Sequence, residues 1–123
     1  MKIILFRLAH ALYTIAIFVL SSLPGVSFSD SSVIDDLLHF LAHSVEFGIF
    51  AFLLLMSKYF RGFKINALFS LIVSVIYAFS DEVHQYFVPG RFADPIDFLA
   101  DSFGILLVVL VYYASRINRS KSE

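Results

Sequence analysis

Lys58-Tyr59-Phe60-Arg61-Gly62-Phe63-Lys64 is a short basic link between two apolar stretches, Leu37–Ser57 before it and Ile65–Phe87 after it. A helix that crosses a bilayer needs roughly 20 mainly apolar residues, and each stretch meets that length. A cationic connection between two spans is held on the cytoplasmic side by the positive-inside rule. The link therefore points to helices through a membrane and to the side on which they turn.

Two further stretches of the same kind lie outward from it, Ile3–Leu23 and Pro95–Ser115. Lys2 and Arg7 flank the first on its leading side, and Arg116, Arg119 and Lys121 follow the last. These cations agree in sign with the central link, so the sequence predicts an all-α bundle of four transmembrane helices with both termini cytoplasmic. With no internal repeat or domain linker, residues 1–123 read as a single integral membrane domain. The acids Asp30, Asp35, Asp36, Glu46, Asp81, Glu82, Asp94, Asp97 and Asp101 gather toward the opposite ends of the spans; Arg91 and Glu123 are the exceptions to this sorting.

Composition agrees. Hydrophobic residues make up 59% of the chain and charged residues 15%, against about 25% charged in soluble domains, and mean hydropathy is +0.85. The absence of cysteine removes disulfides, thiolate ligands and a Cys nucleophile from consideration. The basic residues flank apolar runs and form no stripe, so nucleic acid is not an expected partner.

The first stretch has a second reading, a cleaved signal peptide, because a basic start and an apolar middle are followed by small residues at Ser27 and Ser29. Its removal would leave an odd number of helices and spoil the charge agreement, so it is kept as a span. Helix ends support the other boundaries. Asp94-Pro95-Ile96-Asp97 carries an N-cap acceptor, a proline at the first helical position and a carboxylate at the third, a capping-box arrangement. Ser32-Val33-Ile34-Asp35 is a weaker start, which places the beginning of the second helix a few residues before Leu37.

Counting from the basic flanks at about 1.5 Å per residue puts Glu46 about 18 Å, His43 about 22 Å and His39 about 28 Å up the second helix. The same count gives about 25 Å for Asp81, about 22 Å for Asp101 and about 28 Å for Asp97. Asp36, His39, His43 and Glu46 share one side of the second helix; Tyr77, Asp81, His84 and Gln85 share one side of the third; Asp97, Asp101 and Gly104 share one side of the fourth. Ionisable groups are costly in lipid and face a bundle interior or wet cavity. The expectation is an outward-facing polar pocket, with Gly104 allowing close helix approach.

The runs Leu41-Ala42-His43-Ser44-Val45-Glu46-Phe47, Asp81-Glu82-Val83-His84-Gln85-Tyr86-Phe87-Val88-Pro89-Gly90-Arg91 and Asp97-Phe98-Leu99-Ala100-Asp101-Ser102-Phe103-Gly104 resemble the VanZ-like family over about Asp35 to Tyr112. His39 is additional to the pattern, and Phe47 stands where tyrosine is common. The resemblance implies a small multi-pass protein of the bacterial cytoplasmic membrane, associated with teicoplanin-type glycopeptide tolerance, and carries no established reaction with it.

The expected pocket comprises His43, Glu46, Asp81, Glu82, His84, Gln85, Arg91, Asp97 and Asp101. So many carboxylates at close quarters need a proton or a cation among them. One reading is a buried hydrogen-bonded network that fixes helix register. A second is a site for a lipid or lipid-linked wall-precursor headgroup, with Arg91 gripping phosphate. A third is a zinc-like divalent metal on His43, His84, Glu46 and Asp81, or on Asp101, which would make a hydrolase or phosphoryl-handling enzyme with Glu46, His84 or Asp81 as candidate catalytic groups. His39-Phe40-Leu41-Ala42-His43 is not a zinc-protease helix, since Phe40 replaces the required glutamate. A proton or cation pathway is the remaining alternative and would need polar residues continuing inward. No role is assigned to His10 or His39, and none to an oligomer.

Overall fold

The computed structural model describes every residue except Val26, Ser29, Phe92, Ala93 and Glu123, and describes Ser122 by its backbone only. Ser29 of the signal-peptide reading and Glu123 of the charge pattern lie outside the described residues. Four helices follow one another: α1 (Lys2–Ser21), α2 (Ser32–Met56), α3 (Phe63–Tyr86) and α4 (Pro95–Ser122). Each is long and apolar enough to cross a membrane, and no strand occurs among the described residues. The largest departure from the expected boundaries is at the end of α4, which runs on past Ser115 to Ser122 through residues that include no proline or glycine.

Contacts between helices define their directions. Arg7 Nε donates to the Ser57 carbonyl at 3.2 Å and Tyr13 Oη to the Glu46 carbonyl at 3.2 Å, so α1 and α2 are antiparallel. Asn66 Nδ2 donates to Leu55 O at 3.0 Å and Ser70 Oγ to Ala51 O at 3.2 Å, so α3 returns along α2. The bundle thus has a basic end, at the start of α1, the Lys58–Lys64 link and the end of α4, and an acidic end opposite.

Lipid tails are as apolar as leucine, so helices in a bilayer associate through close packing and hydrogen bonds rather than through apolar burial. That is how α2 and α4 meet. Ser44 and Gly48 on α2 face Ala100 and Gly104 on α4, and Ser44 Oγ donates to Ala100 O at 3.0 Å. A Cβ on Gly104 would fall 1.9 Å from the Ser44 carbonyl oxygen. Farther along, Phe47, Phe50, Ala51, Leu54 and Leu55 fill the interior, with Phe50 stacked on Tyr77 at 4.7 Å between centroids. Outward-pointing residues such as Leu12, Ile15, Ile76, Leu99 and Leu110 are exposed on the helix flanks, as a lipid-facing surface requires. α1 buries only Ile17 and Ser21, yet it is tied to both α2 and α3 through its polar groups.

Candidate functional site

At the acidic end two short connections come together. Val88-Pro89-Gly90-Arg91 forms a tight turn: the Arg91 N–H donates to Val88 O at 3.1 Å, and Gly90 takes a φ of 82°. Proline at the second position and a glycine in the left-handed region at the third are the pattern of a type II turn. The turn sends Arg91 back across the bundle to the end of α1. There its Nε donates to Leu23 O at 2.8 Å, Nη2 to Leu20 O at 3.2 Å and Nη1 to Gln85 Oε1 at 2.9 Å. A guanidinium at a helix C-terminus satisfies carbonyls that lack intrahelical partners and opposes the dipole. Arg91 therefore commits three of its N–H groups to the protein while also lining the neighbouring cavity.

Gln85 continues this chain. Its Nε2 donates to Asp81 Oδ2 at 2.8 Å, while Asp81 Oδ1 accepts from Ser21 Oγ at 2.6 Å. Asp81 and Gln85 are both buried. They are joined to α1 and the Pro-Gly turn and not to His43. Arg91→Lys should cost about 1.5–3 kcal/mol, because an ammonium cannot reproduce a three-way planar fork. Unfolding of the purified variant in detergent, compared with wild type, measures that loss.

His84 departs from its expected place. It lies between Asp81 and Gln85 in sequence but turns to the outer flank of α1, with Nε2 2.9 Å from Ser22 Oγ and its ring 4.6 Å from that of Phe18. The expected metal pairing of His43 with His84 therefore does not form. Glu82, about 100° around α3 from Asp81, faces α4 instead, where its Oε2 accepts the Asp94 N–H at 3.2 Å. Asp94 Oδ1 in turn accepts from the Ile96 N–H at 2.9 Å, which is the expected N-cap. The capping box is half formed: the Asp94 N–H goes to Glu82, and Asp97 is free to reach α2.

His43 gathers the remaining groups. Its Nδ1 lies 3.0 Å from Asp101 Oδ1, and its Nε2 lies 3.6 Å from Asp97 Oδ2. Asp101 is fully buried. His43, Glu82 and Asp101 each place a ligand-type atom within 4.8 Å of the others. The count along the helices had put His43 and Asp101 at the same height, and they touch.

In front of this group a cavity of about 660 Å³ is lined by Asp35, His39, His43, Glu46, Arg91 and Asp97 among others. Its volume falls within the range of about 300–1,000 Å³ common for ligand sites. The α1–α2 connection forms one wall: Asp35 accepts from the Phe28 N–H and the Ser27 hydroxyl, and His39 lies against the Phe28 ring at 4.8 Å. His39 thus has a place in the lining. His10 lies elsewhere, with its ring 4.7 Å from that of Phe50 in the α1–α2 packing. Beyond Glu46, α2 carries no ionisable residue up to Met56, and Phe47, Phe50 and Tyr77 pack together there. That packing gives a proton or cation pathway no support.

Of the expected residues, then, His43, Glu82, Asp97 and Asp101 come together, Asp81, Gln85 and Arg91 form a second group, Glu46 lines the cavity, and His84 stands apart. Ser21, Ser22, Ser44 and Tyr13 were not singled out from the sequence. A serine in the last turn of an apolar helix looks the same whether it bonds a carboxylate or a carbonyl one turn back, and Ser21 does both.

No curated protein and no solved structure matches this chain. The family model described as VanZ/LLP1 matches residues 2–116, so the likeness extends over α1 as well as the stretch from Asp35 to Tyr112. With four helices fit to span a bilayer and a match across nearly its whole length, the chain is a multi-pass membrane protein that belongs to the VanZ/LLP1 family.

Proposed function

We propose that this protein sits in the bacterial cytoplasmic membrane with its basic end inside, and that its outward cavity holds the headgroup of a lipid or lipid-linked wall precursor. By doing so it contributes to envelope or teicoplanin-type glycopeptide tolerance. The observation that carries this reading is the cavity of about 660 Å³ at the acidic end, bounded by Asp35, His39, His43, Glu46 and Asp97. Its lining is rich in carboxylates, and the Arg91 fork is already occupied. Acceptors of that kind suit the hydroxyls and amines of a sugar or amino-sugar headgroup better than a bare phosphate.

Sidedness is tested directly, because the chain has no cysteine. Ser27→Cys should react with an impermeant maleimide on intact cells, and Arg61→Cys only after lysis. For the function, expression in a susceptible host should raise the inhibitory concentration of teicoplanin several-fold. Glu46→Gln combined with Asp97→Asn should abolish that rise at unchanged protein level, together with any lipid that co-purifies with the wild type. Full tolerance in the double variant would defeat the reading.

A further inference from the structure

Among the described residues, four buried side-chain polar atoms have no hydrogen-bond partner: His10 Nε2, Ser74 Oγ, Glu82 Oε1 and Asp101 Oδ2. The first two stand singly in the helix packing. The last two belong to carboxylates that share one cluster with His43. Glu82 is 7% exposed and Asp101 0%, so both lie away from bulk solvent. A buried acceptor left bare costs about 1–3 kcal/mol, and more when it carries charge. Two such oxygens beside one imidazole are the donor set of a cation site.

We infer that His43, Glu82 and Asp101 bind a divalent metal ion of the zinc type, behind the part of the cavity wall that His43 lines. Charge supports the inference, since two carboxylates, a neutral imidazole and a divalent cation sum to zero in surroundings where net charge is expensive. Donor chemistry supports it too, because nitrogen and carboxylate oxygen suit zinc. Zinc–ligand bonds of about 2.0–2.2 Å in a tetrahedron set neighbouring ligand atoms about 3.3 Å apart. The His43 Nδ1 to Asp101 Oδ1 separation is 3.0 Å, and one ligand-type atom from each of the three residues lies within 4.8 Å of the others. Closing that gap is within the reach of side-chain rotation.

The second nitrogen of His43 completes the case. A metal-bound histidine characteristically donates its other ring N–H to a carboxylate, which fixes tautomer and ring orientation. Here Nε2 faces Asp97 Oδ2 at 3.6 Å. Asp97 is thereby assigned as the positioning residue, while Nδ1 is the ligand atom. Three protein ligands leave the fourth position of the tetrahedron open. His43 and Asp97 also line the cavity, so an ion entering that space meets them first.

Zinc added to the chelator-stripped, detergent-purified full chain should bind at about one equivalent, as expected for one site of three protein ligands, and should raise the melting temperature. Asp101→Asn and Glu82→Gln, which keep shape and change charge, should each abolish stoichiometric binding. Asp97→Asn should keep the stoichiometry and weaken affinity about 10–100-fold. His84→Ala, remote from the cluster, should bind like wild type. Cobalt in place of zinc should give visible absorption bands in wild type and His84→Ala and lose them in Glu82→Gln. Wild type without zinc above background, or binding equal to wild type in Asp101→Asn and Glu82→Gln, would overturn the inference. The inference goes beyond headgroup binding and fails separately from it: metal content is read on purified protein, and tolerance in cells.

Discussion

Gly104→Ala should separate α2 from α4 and destabilise the bundle by at least the upper end of the roughly 1–3 kcal/mol typical of overpacking. The added methyl carbon would sit 1.9 Å from the Ser44 carbonyl oxygen, 2.7 Å from its carbon and 2.9 Å from its Cα. All three are backbone atoms, so no side chain can rotate away and one helix must move. Movement breaks the Ser44 Oγ bond to Ala100 O and carries Asp101, three residues before Gly104, away from His43. Gly48→Ala is the control, because its added carbon would meet nothing closer than 3.5 Å. Unfolding of both variants in mixed micelles should show a large loss for Gly104→Ala and a small one for Gly48→Ala. Equal stability of the two would mean that this seam is not what joins the helices.

The same seam explains which parts of the molecule the sequence revealed. Span number followed from hydropathy and cation placement alone, because lipid imposes length and composition on every crossing helix. The meeting of His43 with Asp101 followed from counting residues up two helices from their basic ends. Facing was harder on α3. Asp81, Glu82, His84 and Gln85 are so close in sequence that a small rotation decides which neighbour each meets, and α3 lies between α1 and α4. Asp81 and Gln85 go to α1 and the turn, Glu82 goes to the start of α4, and His84 goes to the outer flank of α1. No periodicity argument separates those outcomes. The internal contacts of Arg91 were hidden for a related reason. Its charge at the acidic end suggested an anion, whereas its bonds to Leu20 O and Leu23 O at the end of α1 are invisible until the Pro-Gly turn is seen to aim it there.

His43→Leu and Asp101→Leu should each cost about 3–5 kcal/mol, whereas the two together should cost much less than their sum. A single replacement strands the remaining partner: Asp101 is fully buried, and its Oδ1 is paired with His43. Removing both at once takes away the charge, the orphaned Asp101 Oδ2 and the demand for a counter-ion, and leaves two apolar side chains in a bundle already lined with leucine and phenylalanine. An ion pair of this kind is therefore a poor device for stability. Unfolding of the two single variants and the double variant, each with chelator present, gives the coupling energy. If the double variant recovers stability while failing to bind zinc and to raise tolerance, the pair is retained for what it binds. If singles and double lose stability additively, His43 and Asp101 are independent packing residues and the cluster has no claim to function. The first outcome follows from the geometry, because one helix contributes the imidazole, two others contribute carboxylates with bare oxygens, and apolar packing would have been simpler at every one of those positions.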